Sequence, residues 1–255
     1  MTRTPRKSTD QDSDSLPFLT LVPNMVTMLG LCAGLTAIRF VMSGHYQLAV
    51  GLLLVAAVVD GLDGLLARRL QATSEIGAQL DSLSDFLNFG VAPGLLVYQF
   101  ALAQSEKAGG WIFVLLYASC CCMRLARFNV AQNLAVTTGT KAPAHFIGVP
   151  APAGALMVLL PVFIAFETGL DLTKFTVLVE LYLALIGFLM VSRMPTFSPK
   201  SIRVPRKHAG WLMIALALIV GIMLAEFWAS LIAIIMLYSA SLFYSFIKHL
   251  RRNRP

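Results

Sequence analysis

Eight apolar stretches, each close to the length of a bilayer-spanning helix, constrain this chain more than any other feature. They lie at residues 21–43, 47–69, 78–101, 110–132, 151–167, 173–192, 209–225 and 227–247. A helix needs about 20 residues to cross the hydrocarbon, where no water can pair with free backbone groups. Hydrophobic residues make up 57% of the chain, which is far from the composition of a soluble domain. The sequence therefore predicts an all-α, polytopic integral membrane protein with about eight transmembrane helices.

The polar ends of the chain predict short tails on a single domain. Residues 1–16 are charged and are expected to form a flexible cytoplasmic tail, and residues 250–255 a basic one. Residues 17–249 are expected to form one transmembrane domain. The first apolar stretch lacks the small-residue cleavage site of a secretory signal, so we expect it to be retained.

The basic residues predict how the chain is oriented. If the eight stretches alternate in direction, all but three of the 20 Lys and Arg lie on the side of the two termini. The positive-inside rule assigns that side to the cytoplasm, which predicts an inner-membrane protein with cytoplasmic termini. The same basic residues flank apolar stretches instead of forming one patch, which argues against a nucleic-acid partner.

Four aspartates interrupt the apolar pattern near the cytoplasmic side. Asp60 and Asp63 lie near the end of the second stretch, and Asp81 and Asp85 near the start of the third. A carboxylate in hydrocarbon costs about 2.5–3.5 kcal/mol on insertion scales, so such residues usually have a function. Spacings of three and four place each pair on one helical face. The short connection between the two stretches predicts antiparallel neighbours whose four carboxylates face one cavity.

Four carboxylates in one cavity repel each other unless a cation lies among them. Hard divalent ions prefer oxygen ligands, and a site with two Mg²⁺ or Mn²⁺ ions uses about this many carboxylates. Gly61, Gly64 and Gly77 would let a ligand approach the backbone. The alternative is a set of interhelical hydrogen bonds or acids reaching the surface, but four acids at this spacing favour a metal site. Because all four acids lie near the cytoplasmic side, the predicted active site faces the cytoplasm.

The two aspartate pairs belong to a longer motif. Residues 60–68 read DGLDGLLAR, and after a gap of eight, residues 77–85 read GAQLDSLSD. This resembles the signature of the CDP-alcohol phosphotransferases, D-x2-D-G-x2-A-R followed by G-x3-D-x3-D, with every fixed position present. The resemblance implies a membrane enzyme of phospholipid biosynthesis that moves a phosphatidyl-type group from a CDP-linked lipid to an alcohol and releases CMP.

The resemblance also implies roles for individual residues. The metal ligands would be Asp60, Asp63, Asp81 and Asp85, with Asp85 also the general base on the attacking hydroxyl. The CDP pocket would be lined by Gly64, Ala67, Arg68 and Gly77, together with Asn24 and Thr27 of a Pro-Asn-x-x-Thr stretch at residues 23–27. For that stretch alone, capping of the first helix after Pro23 is the alternative. A homodimer is implied as well.

Three further segments resemble the phosphatidylserine synthase branch of the family: residues 124–130 (RLARFNV), 146–153 (FIGVPAPA) and 194–200 (MPTFSPK). They imply CDP-diacylglycerol as donor and L-serine as acceptor. Arg124 and Arg127 lie on one helical face and could bind the serine carboxylate or the lipid phosphate, with Asn129 and Lys141 as further candidates. Anchoring by the positive-inside rule is the alternative for each basic residue.

Two other functions stay open. A sister enzyme could use glycerol phosphate, inositol phosphate or choline as acceptor, since the aspartate motif does not select the alcohol. A divalent-cation transporter could also use four acids, but it would need them at several depths of the bilayer. Here all four lie near one face, which favours the enzyme. The short loops and compact single domain are typical of a bacterial protein.

Overall fold

The computed structural model describes residues 18–70, 74–103, 109–138, 148–192, 218–219 and 221–252. Within these ranges every regular element is helical. The α-helices are α1 (Phe18–Met42), α2 (Tyr46–Arg69), α3 (Glu75–Asp85), α4 (Ala92–Val97), α5 (Gly110–Thr138), α6 (Ala151–Val158), α7 (Leu160–Thr168), α8 (Thr176–Val191) and α9 (Phe227–Arg252). Two π-helical segments, Phe86–Val91 and Tyr98–Leu102, join α3, α4 and the residues after them, and a 3-10 turn at Leu172–Phe175 precedes α8.

Six of the described helical stretches are long and apolar enough to cross a membrane. They are Leu21–Met42, Tyr46–Arg69, Gly110–Gln132, Ala151–Thr168, Leu172–Val191 and Phe227–Ser245. The prediction of an all-α, polytopic membrane protein is confirmed. The number eight stays a prediction, because the third stretch is divided by π-helical segments and most of 209–225 lies outside the described residues. The division into two tails and one domain also stays a prediction.

A proline explains the geometry of the third stretch. Pro93 has no N–H to offer the carbonyl of Phe89, four residues earlier. The buried hydroxyl of Tyr117 in α5 donates to that carbonyl at 2.6 Å. In an apolar interior a freed carbonyl needs such a partner. The helical geometry therefore changes directly after Asp85, and the hydrogen bond from Tyr117 of α5 stabilises this change.

The break between α6 and α7 follows the same rule. Pro161 cannot bond to the carbonyl of Met157, and the Tyr182 hydroxyl of α8 donates to it at 2.7 Å. The fifth apolar stretch is thus one membrane-spanning unit with a kink. Tyrosines from neighbouring helices stabilise both proline sites.

Close packing of α1 positions the polar end of the bundle. α1 turns into α2 at Gly44, whose φ of +76° lies in the left-handed region that glycine tolerates. α1 then packs along α2 and also against α3. Large apolar side chains such as Leu29 and Val58 point outward and are more than 60% exposed, as expected of surfaces that face lipid. α1 is therefore the support shared by the two helices that carry the aspartates.

Candidate active site

The four aspartates lie where α2 ends and α3 begins. α2 ends at Arg69, and Ser74 caps α3 by accepting a hydrogen bond from the Gly77 N–H at 3.0 Å. This Ser-x-x-Gly cap sets the start of α3, so that Asp81 and Asp85 lie two and three turns into the helix. The short connection thereby places α3 beside the last turns of α2.

Three of the carboxylates form a compact group. Asp60, Asp63 and Asp81 each offer one oxygen, and these atoms all lie within 4.8 Å of one another. Asp63 is only 3% exposed, and the other two are partly buried. Three carboxylates this close repel unless a positive charge lies between them. Their spacing and chemistry fit a hard divalent cation bound through oxygen.

Asp85 lies next to this group but outside it. Its carboxyl is within side-chain hydrogen-bonding range of Asp60 and interacts electrostatically with Asp81. Its Oδ1 is buried and has no hydrogen-bond partner among the described residues. Two carboxyls make such a contact only when a proton or a cation lies between them. A bound ligand would supply the partner that Asp85 Oδ1 lacks.

Thr27 orients Asp63 from the neighbouring helix. Its Oγ1 donates to Asp63 Oδ2 at 2.6 Å and also lies 3.1 Å from the Pro23 carbonyl. Hydrogen bonds of this kind fix ligand carboxylates in metal sites. α1 begins at Phe18, before Pro23. The alternative of N-terminal capping by Asn24 and Thr27 is therefore wrong, because both residues lie inside the helix.

An open cavity of about 120 Å³ adjoins the carboxylate group. Its walls come from α1, the end of α2 and the start of α3, and they comprise Pro23, Asn24, Thr27, Asp63, Gly64, Ala67, Ser74, Gly77, Ala78 and Asp81. The structure thus brings together five of the six residues predicted for the CDP pocket. The sixth, Arg68, is not among the lining residues, although its Nη1 would lie 3.7 Å from a Cβ at Gly64, which lines the cavity. Sequence reasoning missed Ser74, although the Ser-x-x-Gly pattern was visible.

The glycines of the motif differ in their surroundings. A Cβ at Gly77 would lie 2.6 Å from Asn24 Oδ1 and 2.9 Å from Ser74 Oγ. Only glycine leaves the Asn24 side chain in its place on the cavity wall. A Cβ at Gly61, in contrast, would meet no described atom within 4 Å. Close packing therefore explains Gly77 and does not explain Gly61.

A buried polar pair missed by sequence reasoning continues the aspartate face of α3. Asn88 is 2% exposed, and its Nδ2 donates to Ser84 Oγ at 3.2 Å and to the Gly30 carbonyl at 3.3 Å. A Cβ at Gly34 would overlap Asn88 Oδ1. Residues 81, 84, 85 and 88 form an i, i+3, i+4, i+7 stripe, which was the available signal. The hydrogen bond from Asn88 to Gly30 therefore holds the helical turn that contains Asp85 against α1.

The three predicted acceptor residues that the structure describes have different partners. Arg124 is partly buried, interacts electrostatically with Asp85 and lies 5.8 Å from the centre of the Phe128 ring. The Nη2 of Arg127 donates to the carbonyl of Val191, at the C-terminal end of α8, at 2.6 Å. Asn129 Nδ2 donates to Ser82 Oγ at 2.9 Å and so ties α5 to α3. Lys141 lies outside the described residues, as do residues 146–147 and 194–200 of the other acceptor segments.

Comparison with known proteins places this arrangement in context. The profile of a family described as CDP-alcohol phosphatidyltransferase matches residues 20–191, from α1 to the end of α8. A CDP-diacylglycerol–serine O-phosphatidyltransferase of Mycobacterium tuberculosis strain H37Rv is 39% identical over 203 residues, covering 78% of this chain and 69% of the relative. Proteins of the same name from Helicobacter pylori strain 26695 and Bacillus subtilis strain 168 are each 35% identical. The former match covers 70% of this chain and 73% of the relative, and the latter 58% and 81%.

Proposed function

The chain belongs to the CDP-alcohol phosphatidyltransferase family, and from this premise we propose that it transfers the phosphatidyl group of CDP-diacylglycerol to the hydroxyl of L-serine, giving phosphatidylserine and CMP. The donor and acceptor follow the names of its relatives. The observation that carries the proposal is the group of three carboxylates beside an open cavity, with Asp85 in contact with Asp60.

The cavity formed by α1, α2 and α3 binds the CDP part of the donor in this proposal. Asn24, Gly64, Ala67 and Gly77 line it, and Arg68, whose guanidinium lies near Gly64, would offer a cation to a phosphate. The small side chains leave room for a flat base or a ribose. Because the cavity adjoins Asp63 and Asp81, a nucleotide seated there presents its pyrophosphate to the carboxylates.

Asp60, Asp63 and Asp81 would hold divalent cations, with Asp85 as a further ligand of two Mg²⁺ or Mn²⁺ ions. Bound cations would neutralise the pyrophosphate and the leaving CMP. Thr27 keeps the Asp63 carboxylate in one orientation. The Ser82–Asn129 and Ser84–Asn88 hydrogen bonds keep α3 at a fixed position relative to α5 and α1.

Asp85 is the general base of the proposed reaction. Its carboxylate accepts the proton of the serine hydroxyl as the serine oxygen forms a bond to the β-phosphorus of the donor. The bond from that phosphorus to the bridging oxygen breaks, and CMP leaves with the electron pair. With donor and acceptor held side by side, the displacement needs no covalent enzyme intermediate. Among the predicted acceptor residues that the structure describes, Arg124 is the one that interacts electrostatically with Asp85.

The membrane arrangement belongs to the same proposal. Both termini and the aspartates face the cytoplasm of the inner membrane, since nearly all Lys and Arg lie on that side. Water-soluble serine and CMP then exchange with the cytoplasm, while the donor stays in the bilayer. The protein acts as a homodimer, which crosslinking in membranes checks.

The proposal is tested by CMP release from CDP-diacylglycerol in mixed micelles. Purified protein with Mn²⁺ or Mg²⁺ is assayed with and without L-serine, and with glycerol phosphate, inositol phosphate or choline in its place. We expect CMP release that requires serine and stops when a chelator is added. Release driven by another alcohol would keep the family chemistry and overturn the acceptor. Cation uptake into proteoliposomes without CMP release would support the transporter.

A further inference from the structure

The last helix brings a tyrosine hydroxyl into the protein interior. α9 follows the segment that the family profile matches, which ends at residue 191. Its start packs on α7, where the Trp228 ring lies 4.8 Å from that of Phe166 and 5.9 Å from that of Phe163, centre to centre. Three turns further on, the Tyr238 hydroxyl is buried and has no hydrogen-bond partner in the part of the chain that the structure describes. A buried hydroxyl without a partner is rare in folded proteins and needs an explanation.

The other buried tyrosines show how unusual this is. Tyr117 and Tyr182 each donate to a carbonyl that a proline has freed. Tyr238 has no such carbonyl among the described residues. Its electrostatic neighbour is Arg124 of α5.

Arg124 differs from its neighbour Arg127 in its hydrogen bonds within the described residues. Arg127, one turn along the same helix, donates to the Val191 carbonyl at 2.6 Å. Arg124 makes no hydrogen bond to the described residues, although it is partly buried and interacts electrostatically with Asp85. A guanidinium carries five N–H donors in a planar fork that matches a carboxylate or phosphate. Within the described residues, neither the Arg124 guanidinium nor the Tyr238 hydroxyl has a hydrogen-bond acceptor, and the two groups interact electrostatically. An anionic ligand would supply an acceptor to both.

We propose that Arg124 and Tyr238 form an anion subsite for the acceptor, in which the carboxylate of L-serine binds while its hydroxyl lies against Asp85. This assignment rests on the proposed function. Serine carries its hydroxyl and its carboxylate on adjacent carbon atoms of one short chain. A hydroxyl held at Asp85 therefore leaves the carboxylate in the neighbourhood of Arg124. The donor cavity is lined from α1, α2 and α3, whereas the proposed subsite uses residues of α5 and α9.

The subsite makes α9 a determinant of acceptor specificity. Acceptors with no carboxylate would leave the guanidinium and the hydroxyl unpaired, which a buried site penalises strongly. A phosphate of the lipid donor presents the same anionic chemistry. Substitution of the subsite residues distinguishes the two anions. A raised KM for serine indicates the serine carboxylate, and a raised KM for CDP-diacylglycerol indicates the donor phosphate.

The test is the steady-state kinetics of Tyr238→Phe, which removes the hydroxyl and keeps the ring. The matched control is Tyr244→Phe on the same helix, whose side chain is 70% exposed. We expect Tyr238→Phe to raise the KM for L-serine about tenfold, as for loss of a hydrogen bond to a charged group. The KM for CDP-diacylglycerol and kcat should stay within about twofold, and the control should match the wild type on all three. Arg124→Lys, which keeps the charge and loses the fork, should also raise the KM for serine.

A second acceptor gives a readout that a structural role would not change. Serinol replaces the carboxylate of serine by a hydroxymethyl group, so wild-type enzyme should strongly prefer serine. Tyr238→Phe should reduce that preference by the same factor by which it raises the KM for serine. A rise in the KM for CDP-diacylglycerol alone would assign the subsite to the donor phosphate and overturn the carboxylate assignment. Wild-type kinetics in both Tyr238→Phe and Arg124→Lys would overturn the subsite and leave the proposed function standing. CMP release by wild-type enzyme that ignores serine would overturn the proposed function itself.

Discussion

The two sides of the active site differ in how far apart their residues lie along the chain. The donor side that we propose uses residues from 23–27 and 60–85, which three consecutive helices bring together around one cavity. The acceptor side that we propose uses Arg124 of α5 and Tyr238 of α9. Local connections are enough to build the donor side, whereas the acceptor side depends on packing between distant helices. In such an arrangement the acceptor residues can change without disturbing the cavity.

Substitution of Asp85, the proposed general base, should have the largest effect on turnover. Asp85→Asn keeps the size of the side chain but cannot accept the hydroxyl proton. We expect turnover to fall about 10²–10⁴-fold, the usual contribution of a general base. The measurement is serine-dependent CMP release at saturating metal. Asp171→Asn is the matched control, since Asp171 is an exposed acid whose partners are Thr173 and Lys174. Full activity of Asp85→Asn would remove it from the proposed mechanism.

Loss of the hydroxyl that orients Asp63 should affect the metal more than either substrate. Thr27→Val removes the donor 2.6 Å from Asp63 Oδ2 and keeps the shape of the side chain. We expect the Mn²⁺ concentration for half-maximal activity to rise about 10–100-fold, as for other partners of metal ligands. Direct Mn²⁺ binding, followed by electron paramagnetic resonance, should weaken by the same factor.

Thr36→Val on the same helix is the control, because its hydroxyl donates to the Cys32 carbonyl within α1. The Thr27→Val variant should keep the wild-type KM for serine. An unchanged metal dependence together with a raised KM for CDP-diacylglycerol would instead make Thr27 a nucleotide contact.

Filling the donor cavity should affect the donor alone. A Cβ at Gly77 would press on Asn24 Oδ1 and Ser74 Oγ, so Gly77→Ala moves Asn24 off the cavity wall. We expect the KM for CDP-diacylglycerol to rise about tenfold, equivalent to about 1.4 kcal/mol of binding, with the KM for serine within twofold. Gly51→Ala in α2 is the control, because a Cβ there meets no described atom within 4 Å. Equal kinetics for the two alanine variants would mean that Asn24 is not part of the donor pocket.

The same contrast explains how much the sequence could predict. The clustering of the aspartates was predictable, because helical spacing and a short connection bring residues 60–85 together. The cavity residues were named from the family resemblance, not from spacing. The π-helical geometry after Asp85 was not, since it depends on Tyr117 meeting the Phe89 carbonyl from 28 residues away. Asn129 was singled out for the acceptor, but no periodicity indicates that it bonds to Ser82, 47 residues earlier. Tyr238 lies in an apolar stretch where one tyrosine is unremarkable until its hydroxyl is found buried.

Substitution of Arg127 should have the smallest effect on catalysis, and it distinguishes acceptor binding from stabilisation of α8. The sequence predicts that it binds the acceptor with Arg124, whereas its Nη2 donates to the carbonyl that ends α8. A cation at a helix C-terminus stabilises the helix through its free carbonyls and its dipole. We therefore expect Arg127→Gln to lower the free energy of unfolding by about 1.5–3 kcal/mol, the range for hydrogen bonds to charged groups. Thermal unfolding in detergent measures this loss.

The kinetics of the same variant separate the two roles. If Arg127 supports α8, the KM for serine of Arg127→Gln stays within about twofold of wild type at a temperature where the protein is folded. Arg124→Gln should show the reverse, with a raised KM for serine and little loss of stability, because Arg124 has no described hydrogen bond to lose. A rise in the KM for serine in both variants would restore the predicted arginine pair as the acceptor site. Since the two arginines are one helical turn apart, such a result would mean that α8 gives up its bond to Arg127 when the acceptor binds.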